Sequence, residues 1–153
     1  AWSLGIVGPT LRASGWAWDA RSLGYAAYGE LGFEPVVEND GDSHARAMVR
    51  AREVLQSHEL VVKALDNLPE GELSVMVKGL FPNGEAVMRV EQPRGELFEY
   101  GRGNGTQHLE RLKVRTPTFS NIPALLVMLP GCEIADVPVI VLSIDPCIAC
   151  TER

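Results

Sequence analysis

The sequence has only three cysteines, and an odd number of thiols cannot all pair into a disulfide framework, which favours a reducing compartment. The longest apolar run, residues 137–144, is far shorter than the roughly 20 residues that cross a bilayer. The amino terminus has no charged leader with a cleavage site, which argues against a secretory signal, and it has no initiator methionine. We therefore expect Ala1 to be an internal position of a longer protein.

Basic residues are too few and too scattered for a nucleic-acid-binding protein. The 14 Lys and Arg against 20 Asp and Glu give a net charge of −6. Phosphate backbones require clustered Lys and Arg, and an anionic membrane surface attracts polybasic runs. We expect no nucleic-acid partner. With 153 residues and 46% hydrophobic residues, the chain has the size and composition of one globular unit, residues 1–153.

The hydrophobic pattern predicts an α+β fold with one long helix, a small sheet and two helices near the carboxyl end. Asp42 or Ser43 can cap a helix over about 43–65, whose predicted apolar stripe is Met48, Ala51, Leu55, Val62 and Leu65, reinforced by Ala47, Val54 and Val61. A period of two predicts an antiparallel sheet over about 84–115 with one solvated face and a turn at 101–105. Helices are predicted over 121–129 and 136–144, the second with Pro138 in its first turn.

The residues best suited to chemistry lie at the carboxyl end, where 143–153 is Ser-Ile-Asp-Pro-Cys-Ile-Ala-Cys-Thr-Glu-Arg. Cys147 and Cys150 are three positions apart and can face one metal, and thiolates select nickel, copper(I), zinc or iron. The spacing alone leaves the site open. A zinc site needs about four ligands, a thioredoxin-like pair opens a helix in a βαβ unit, and free cysteines are also common core residues.

The ending Asp-Pro-Cys-x-x-Cys at 145–150 resembles the terminal motif of nickel-iron hydrogenase large subunits. Residues 91–95, Glu-Gln-Pro-Arg-Gly, resemble the family's "xPRG" segment, and 115–121, Arg-Thr-Pro-Thr-Phe-Ser-Asn, its "P(S/T)xxN" segment. The segments 8–15 and 41–46 resemble the energy-converting branch, which is related to respiratory complex I and includes the carbon-monoxide-induced type. The resemblance covers essentially the whole chain in the right order.

The resemblance implies a fragment of the mainly helical large-subunit fold, with a nickel-iron centre that carries cyanide and carbonyl ligands in the intact enzyme. It implies that Cys147 is a terminal ligand of nickel and that Cys150 bridges nickel and iron. These would be two of the four cysteine ligands. The activity implied is the interconversion of hydrogen with protons and electrons.

Four further residues receive roles from the same resemblance. Arg94 would hold its guanidinium over the open coordination position, and Asp145 would lie beside the metals. Thr118 would donate a hydrogen bond to a cyanide ligand, and Pro93 would line the diatomic ligands. Splitting hydrogen heterolytically needs a Lewis acid and a nearby base, and a guanidine–carboxylate pair can be that base. Without the family, Arg94 suits a β-turn, Thr118 a helix cap and Asp145 a turn before proline.

The family's second Cys-x-x-Cys pair and its proton-transfer glutamate are absent from these 153 residues, and Cys132 is predicted to be a structural cysteine. We therefore expect this fragment to bind no metal by itself and to need the remainder of the large subunit. The other implied partners are an iron-sulfur small subunit, membrane subunits and a ferredoxin-like electron carrier. The implied location is the cytoplasmic face of the cell membrane, as a peripheral part of a complex.

Two alternatives come from different classes. The quinone-site subunit of complex I shares the fold and many of these segments, but has generally lost the metal-binding cysteines. A non-catalytic module that packs on an iron-sulfur subunit would also hold no nickel. The metal content of the intact subunit separates the hydrogenase, which would hold nickel and iron, from both alternatives, which would hold neither. In the fragment, the tail 145–153 is expected to have little to pack against and to be the least constrained part.

Overall fold

The computed structural model, which describes residues 1–76, 79 and 81–152, combines one long helix and a three-stranded sheet with several short helices. The α+β class is therefore confirmed. The α-helices are α1 (Gly8–Arg12), α2 (Tyr28–Leu31), α3 (Ser43–Asp66), α4 (Pro117–Asn121), α5 (Leu125–Met128), α6 (Val137–Ser143) and α7 (Ile148–Thr151). The strands are β1 (Asn83–Gln92), β2 (Gly95–Asn104) and β3 (Leu109–Arg115). Short 3-10 helices cover Trp2–Leu4, Ala20–Leu23, Ile122–Ala124 and Ile134–Asp136.

Helix α3 has the predicted bounds, because its cap was identifiable from the sequence. The Asp42 carboxylate accepts a hydrogen bond from the Ala45 N–H at 2.7 Å and so satisfies one of the free amides of the first turn. The predicted apolar stripe is wrong as a buried face, since Val54 is 68% exposed and Leu65 is 67% exposed. Burial falls instead on Ala45, Arg46, Val49 and Leu60. Periodicity identifies an apolar face, but not whether another part of the chain covers it.

The sheet is an antiparallel meander with strand order β1-β2-β3, as predicted. The turn expected at 101–105 begins later, because Gly101 and Gly103 both lie within β2. Gly103 is required there for a different reason: a side chain at this position would overlap the Pro82 carbonyl. The expectation of one solvated face is also wrong for the outer half of β1, where residues 83–89 are all exposed. In the three strands, burial is confined to the root of the sheet at Gly95–Leu97 and to Gly103.

The carboxyl-terminal helices are shorter than the pattern indicates. In place of one helix over 121–129, α4 and α5 flank the 3-10 turn Ile122–Ala124, which contains Pro123. Proline has no N–H for the helical ladder and fixes its own φ, so the two pieces do not merge into one helix. Helix α6 agrees with the prediction to within one residue at each end and has Pro138 in its first turn. Among the described residues, no helix is long and apolar enough to span a membrane.

A buried ionic cluster joins α1, the 3-10 turn after it, α3 and the end of β1. The Arg12 guanidinium lies 2.8 Å from Asp19, 2.7 Å from Glu53 and 2.8 Å from Glu91. Arg21 pairs with Asp19 at 2.7 Å and with Glu53 at 3.1 Å. Burial raises the pKa of the Glu91 carboxyl, although Arg12 opposes this shift. The cluster fixes the last residues of β1 and therefore the turn that follows them.

Two glycines bring that turn against the start of α1. Gly8 has φ +68° and Gly95 has φ +131°, conformations that favour glycine. A methyl group on Gly8 would lie 2.5 Å from the Arg94 carbonyl oxygen and 2.7 Å from the Gly95 nitrogen. The contact is backbone to backbone on both sides, so a small movement of a side chain cannot relieve it.

Gly8→Ala is therefore expected to lower the free energy of unfolding by about 3 kcal/mol, as the sum of an unfavourable positive φ and an overlap that cannot relax. Gly5→Ala is the matched control, because Gly5 has φ +67° but nothing within 4 Å of the added methyl group. The control should lose only about 1 kcal/mol. Chemical unfolding followed by circular dichroism measures both. Equal losses would contradict the contact between Gly8 and the turn.

Candidate functional site

The turn between β1 and β2 carries Arg94. Asn121, the last residue of α4, links this turn to the residue before α1. The Asn121 Nδ2 donates to the Arg94 carbonyl at 3.2 Å, and its Oδ1 accepts from the Val7 N–H at 2.9 Å. The Asn121 side chain is buried, so both bonds are made away from water. The "P(S/T)xxN" segment ends on this residue, but nothing in the sequence assigns it to the Arg94 turn.

Arg94 and Asp145 are 51 positions apart in the chain and meet in the structure. The Arg94 Nε donates to the Asp145 carbonyl oxygen at 3.0 Å and lies 3.2 Å from the carboxylate Oδ2. The side chains are 34% and 44% exposed, respectively. An ion pair this exposed adds little to stability, so its main effect is to orient the guanidinium. Asp145 has φ +53°, an uncommon conformation for a non-glycine residue at the bend between α6 and α7.

Helix α4 and the residue before it contact the two-cysteine tail through threonines. The buried Thr118 Oγ1 accepts a hydrogen bond from the Cys147 N–H at 3.3 Å. The Thr116 hydroxyl donates to the Cys150 carbonyl. The expectation that the tail has little to pack against is wrong for α7, which lies on α4 within the same chain. The expectation that the tail is the least constrained part stays a prediction. Arg153, the last residue of that expectation, lies outside the described residues.

The two predicted metal ligands face each other as free thiols. A hydrogen bond from the Cys150 thiol lowers the pKa of Cys147 and, with burial, raises the pKa of Cys150 itself. The positive charge of Arg94 acts on both sulfurs and favours their thiolate forms. The Thr118 hydroxyl also hydrogen-bonds to Cys150 and lowers its pKa. Cys147, Cys150, Thr118 and Arg94 therefore surround one spot.

This donor set suits half of a thiolate-bound metal centre. Two soft sulfur ligands fit nickel or iron, but four-coordinate sites need more donors than two. Among the described residues, no group of three or more His, Cys, Asp or Glu is arranged to hold a metal ion. A complete centre would therefore require ligands from outside this part of the chain. The role of each predicted ligand stays a prediction.

A cleft of about 480 Å³ opens beside the site. Pro93 and Asp145 line one part of it, and Arg50, Glu53 and Glu91 line the rest, so the cleft runs from the site to the buried ionic cluster. Pro93 thus lies in the wall of the cleft together with Asp145, and its predicted role toward diatomic ligands stays a prediction.

Cys132, the third cysteine, lies in the turn after α5. It is half-buried, and its N–H donates to the Leu129 carbonyl at 3.2 Å. Its thiol is not one of the groups that surround the spot between Cys147 and Cys150. The structural role predicted for Cys132 remains untested.

Proteins similar to this chain include hydrogenases and NADH-quinone oxidoreductase subunits. The family described as "Respiratory-chain NADH dehydrogenase, 49 Kd subunit" matches residues 1–80 and 73–153. The chain is 48% identical over 150 residues to the "Carbon monoxide-induced hydrogenase" of Rhodospirillum rubrum, covering 97% of this chain and 42% of that protein. It is 38% identical over 144 residues to an NADH-quinone oxidoreductase subunit of Solibacter usitatus, covering 92% of this chain and 39% of that protein.

A solved structure agrees with these matches. The whole chain superposes on 44% of a chain of the "membrane-bound sulfane sulfur reductase (MBS), an archaeal respiratory membrane complex", with a TM-score of 0.91 and 34% identity. The chain thus spans less than half the length of each of these relatives. Its relatives include both the hydrogenases that the sequence resembles and the NADH-quinone oxidoreductase subunits that were the alternative, so the wider family is confirmed and the hydrogenase branch stays a prediction. The chain belongs to the family of the 49 kDa subunit of respiratory-chain NADH dehydrogenase.

Proposed function

We propose that this chain is part of the catalytic subunit of an energy-converting nickel-iron hydrogenase, in which it supplies two of the four cysteine ligands. The observation that carries the proposal is the pair of free thiols at Cys147 and Cys150, tied to Thr118 through the Cys147 N–H and accompanied by the Arg94–Asp145 pair. A thiol pair next to a fixed guanidinium is suited to holding a metal where charge separates during hydrogen splitting. The 48% identity to a carbon-monoxide-induced hydrogenase supports the same branch.

The nickel-iron centre, with its cyanide and carbonyl ligands, would supply the Lewis acid when bound. Cys147 and Cys150 would hold it, Cys147 as the terminal ligand and Cys150 as the bridging one, as the family resemblance implies. Arg94, oriented by its bonds to Asp145, would keep a guanidinium over the open side and hold or pass a proton there. Thr118 would donate a hydrogen bond to a cyanide ligand, and Pro93 would line the diatomic ligands.

The exposed apolar face of α3 supports the remainder of the subunit as a partner. Val54, Leu55 and Leu65 lie on the predicted stripe and are each about two-thirds exposed. Large apolar faces of this kind usually meet another protein surface, and the relatives are more than twice the length of this chain. An iron-sulfur small subunit, membrane subunits and a ferredoxin-like carrier complete the proposal. The assembly would lie peripherally on the cytoplasmic face of the membrane.

A quinone-site subunit of a complex I-like enzyme is the second candidate, favoured by the NADH-quinone oxidoreductase relatives. In that case the cleft beside Pro93 and Asp145 would receive the quinone headgroup. The two thiols would then have no ligand role. The two thiols favour the hydrogenase, because binding a quinone requires neither a thiol pair nor a guanidinium beside it.

Metal analysis of the complete, purified complex decides between these candidates. The hydrogenase should contain about one nickel per catalytic subunit, show infrared bands from iron-bound cyanide and carbonyl, and reduce a low-potential dye with hydrogen. A complex without nickel that reduces quinone would establish the second candidate. A complex with neither property would leave the non-catalytic module that packs on an iron-sulfur subunit.

A further inference from the structure

Arg46, in the first turn of α3, is a buried cation held entirely by neutral groups. Its side chain donates from Nε to the Ser143 Oγ at 2.7 Å, from Nη1 to the Gly41 carbonyl at 2.8 Å and from Nη2 to the Ser43 Oγ at 3.0 Å. The residue is only 2% exposed. Within the described part of the chain, no carboxylate lies within ion-pair distance of it.

A charge buried without an ion-pair partner is costly. Burial accordingly lowers the pKa of Arg46, and the nearby Arg50 adds to the shift, while the more distant Asp42 carboxylate opposes it. An apolar side chain of similar volume would avoid this cost. The guanidinium offers something that such a side chain does not: a rigid planar fork that reaches three oxygen acceptors at once. These acceptors belong to the loop before α3, the first residue of α3 and the last residue of α6.

The acceptor on α6, Ser143, is the one that connects Arg46 to the candidate site, because the chain continues from it to Asp145 and the two thiols. Ser143 ends α6 and also donates from its hydroxyl to the Ile140 carbonyl at 2.6 Å. After it, Ile144 is buried, Asp145 turns the chain with a positive φ, and Cys147 follows two residues later. Helix α6 has little apolar packing of its own, since Leu142 is largely exposed and no residue of the helix is fully buried.

We infer that Arg46 is a positioning residue: by clamping Ser143 to the amino-terminal turn of α3, it sets where Asp145 and the two thiols lie. The clamp follows from the contacts alone. Its importance for metal binding rests on the proposed function, because that proposal makes Cys147 and Cys150 the ligands.

Hydrogen exchange by mass spectrometry on the complete complex tests the clamp directly. Arg46→Met should speed amide exchange across the peptide 143–150 by about tenfold, since bonds to a charged donor are lost from a buried site. Ser143→Ala, which keeps the charge, should produce a smaller increase, and Arg46→Lys should lie between Arg46→Met and the wild type. Arg52→Met is the matched control, because Arg52 is on the same helix, is half-exposed and pairs with Glu38.

The same samples are examined for nickel content and for the infrared bands of the diatomic ligands. The inference requires faster exchange together with shifted or broadened bands, and partial recovery of both in Arg46→Lys. Unchanged exchange would refute the clamp, and faster exchange with unchanged bands would refute its role in positioning. If Arg46→Met does not assemble, Ser143→Ala and Arg46→Lys decide. A wild type without metal would refute the proposed function, while the exchange comparison would still test the clamp.

Discussion

Arg94→Lys lowers hydrogen turnover by a factor of about one hundred or more, with nickel and iron at wild-type content, if the proposed function is correct. Arg94 contacts Asp145 through two nitrogens: Nε lies 3.0 Å from the carbonyl oxygen and 3.2 Å from Oδ2, and Nη2 lies 3.5 Å from Oδ1, which fixes the plane of the guanidinium. A lysine ammonium is a single mobile charge. It can pair with the carboxylate or extend over the thiols, but it cannot do both in a fixed geometry.

The matched control for this prediction is Arg102→Lys. Arg102 lies on the same strand pair, is half-exposed and contacts Glu85 at 3.7 Å and Glu110 at 3.2 Å, so it shares the charge and exposure of Arg94 without its location. Its turnover should equal that of the wild type. Turnover is measured with a low-potential dye in metal-replete preparations. Near-normal activity of Arg94→Lys would remove Arg94 from the mechanism.

Local features of the fold were predictable, because their causes lie within a few residues of each other. Asp42 caps α3 through an amide three positions away, and the alternation in 84–115 identifies the strands. The failures have non-local causes. Gly103 looks like a turn glycine, yet it is needed because Pro82 passes close to β2. The α3 stripe looks like a core face, yet most of it is exposed in this chain.

The site divides in the same way. The resemblance identified Arg94 and Asp145, and the structure brings them into contact, but the contact joins positions 51 apart and no local pattern encodes it. Asn121 reaches Val7 across 114 positions, and Arg46 reaches Ser143 across 97. Such residues place the chemical groups without performing chemistry. Sequence motifs identify the candidate reactive groups. The residues that orient those groups are distant in the sequence and can be identified only from the structure.

Cys147→Ser and Cys150→Ser should each remove most of the nickel from the complete complex, and with it the hydrogenase activity. A serine hydroxyl stays protonated at neutral pH and is a hard oxygen donor, so it replaces a thiolate poorly at nickel or iron. The change in volume is small and both cysteines are only partly buried, so the fold should be retained. Nickel and iron are measured by mass spectrometry, and the fold is followed by circular dichroism.

Cys132→Ser is the matched control, since this half-buried cysteine lies in the turn after α5, outside the spot that Cys147, Cys150, Thr118 and Arg94 surround. It should keep both metals and full turnover. Wild-type metal content in all three variants would mean that the centre, if present, is held elsewhere, and that the thiol pair is incidental. Loss of metal in Cys132→Ser alone would indicate that Cys132 is a ligand and that Cys147 and Cys150 are not. Loss of metal in Cys147→Ser but not in Cys150→Ser would indicate that Cys150 is not a ligand, and that its contribution is the backbone bond to Thr116, which serine keeps.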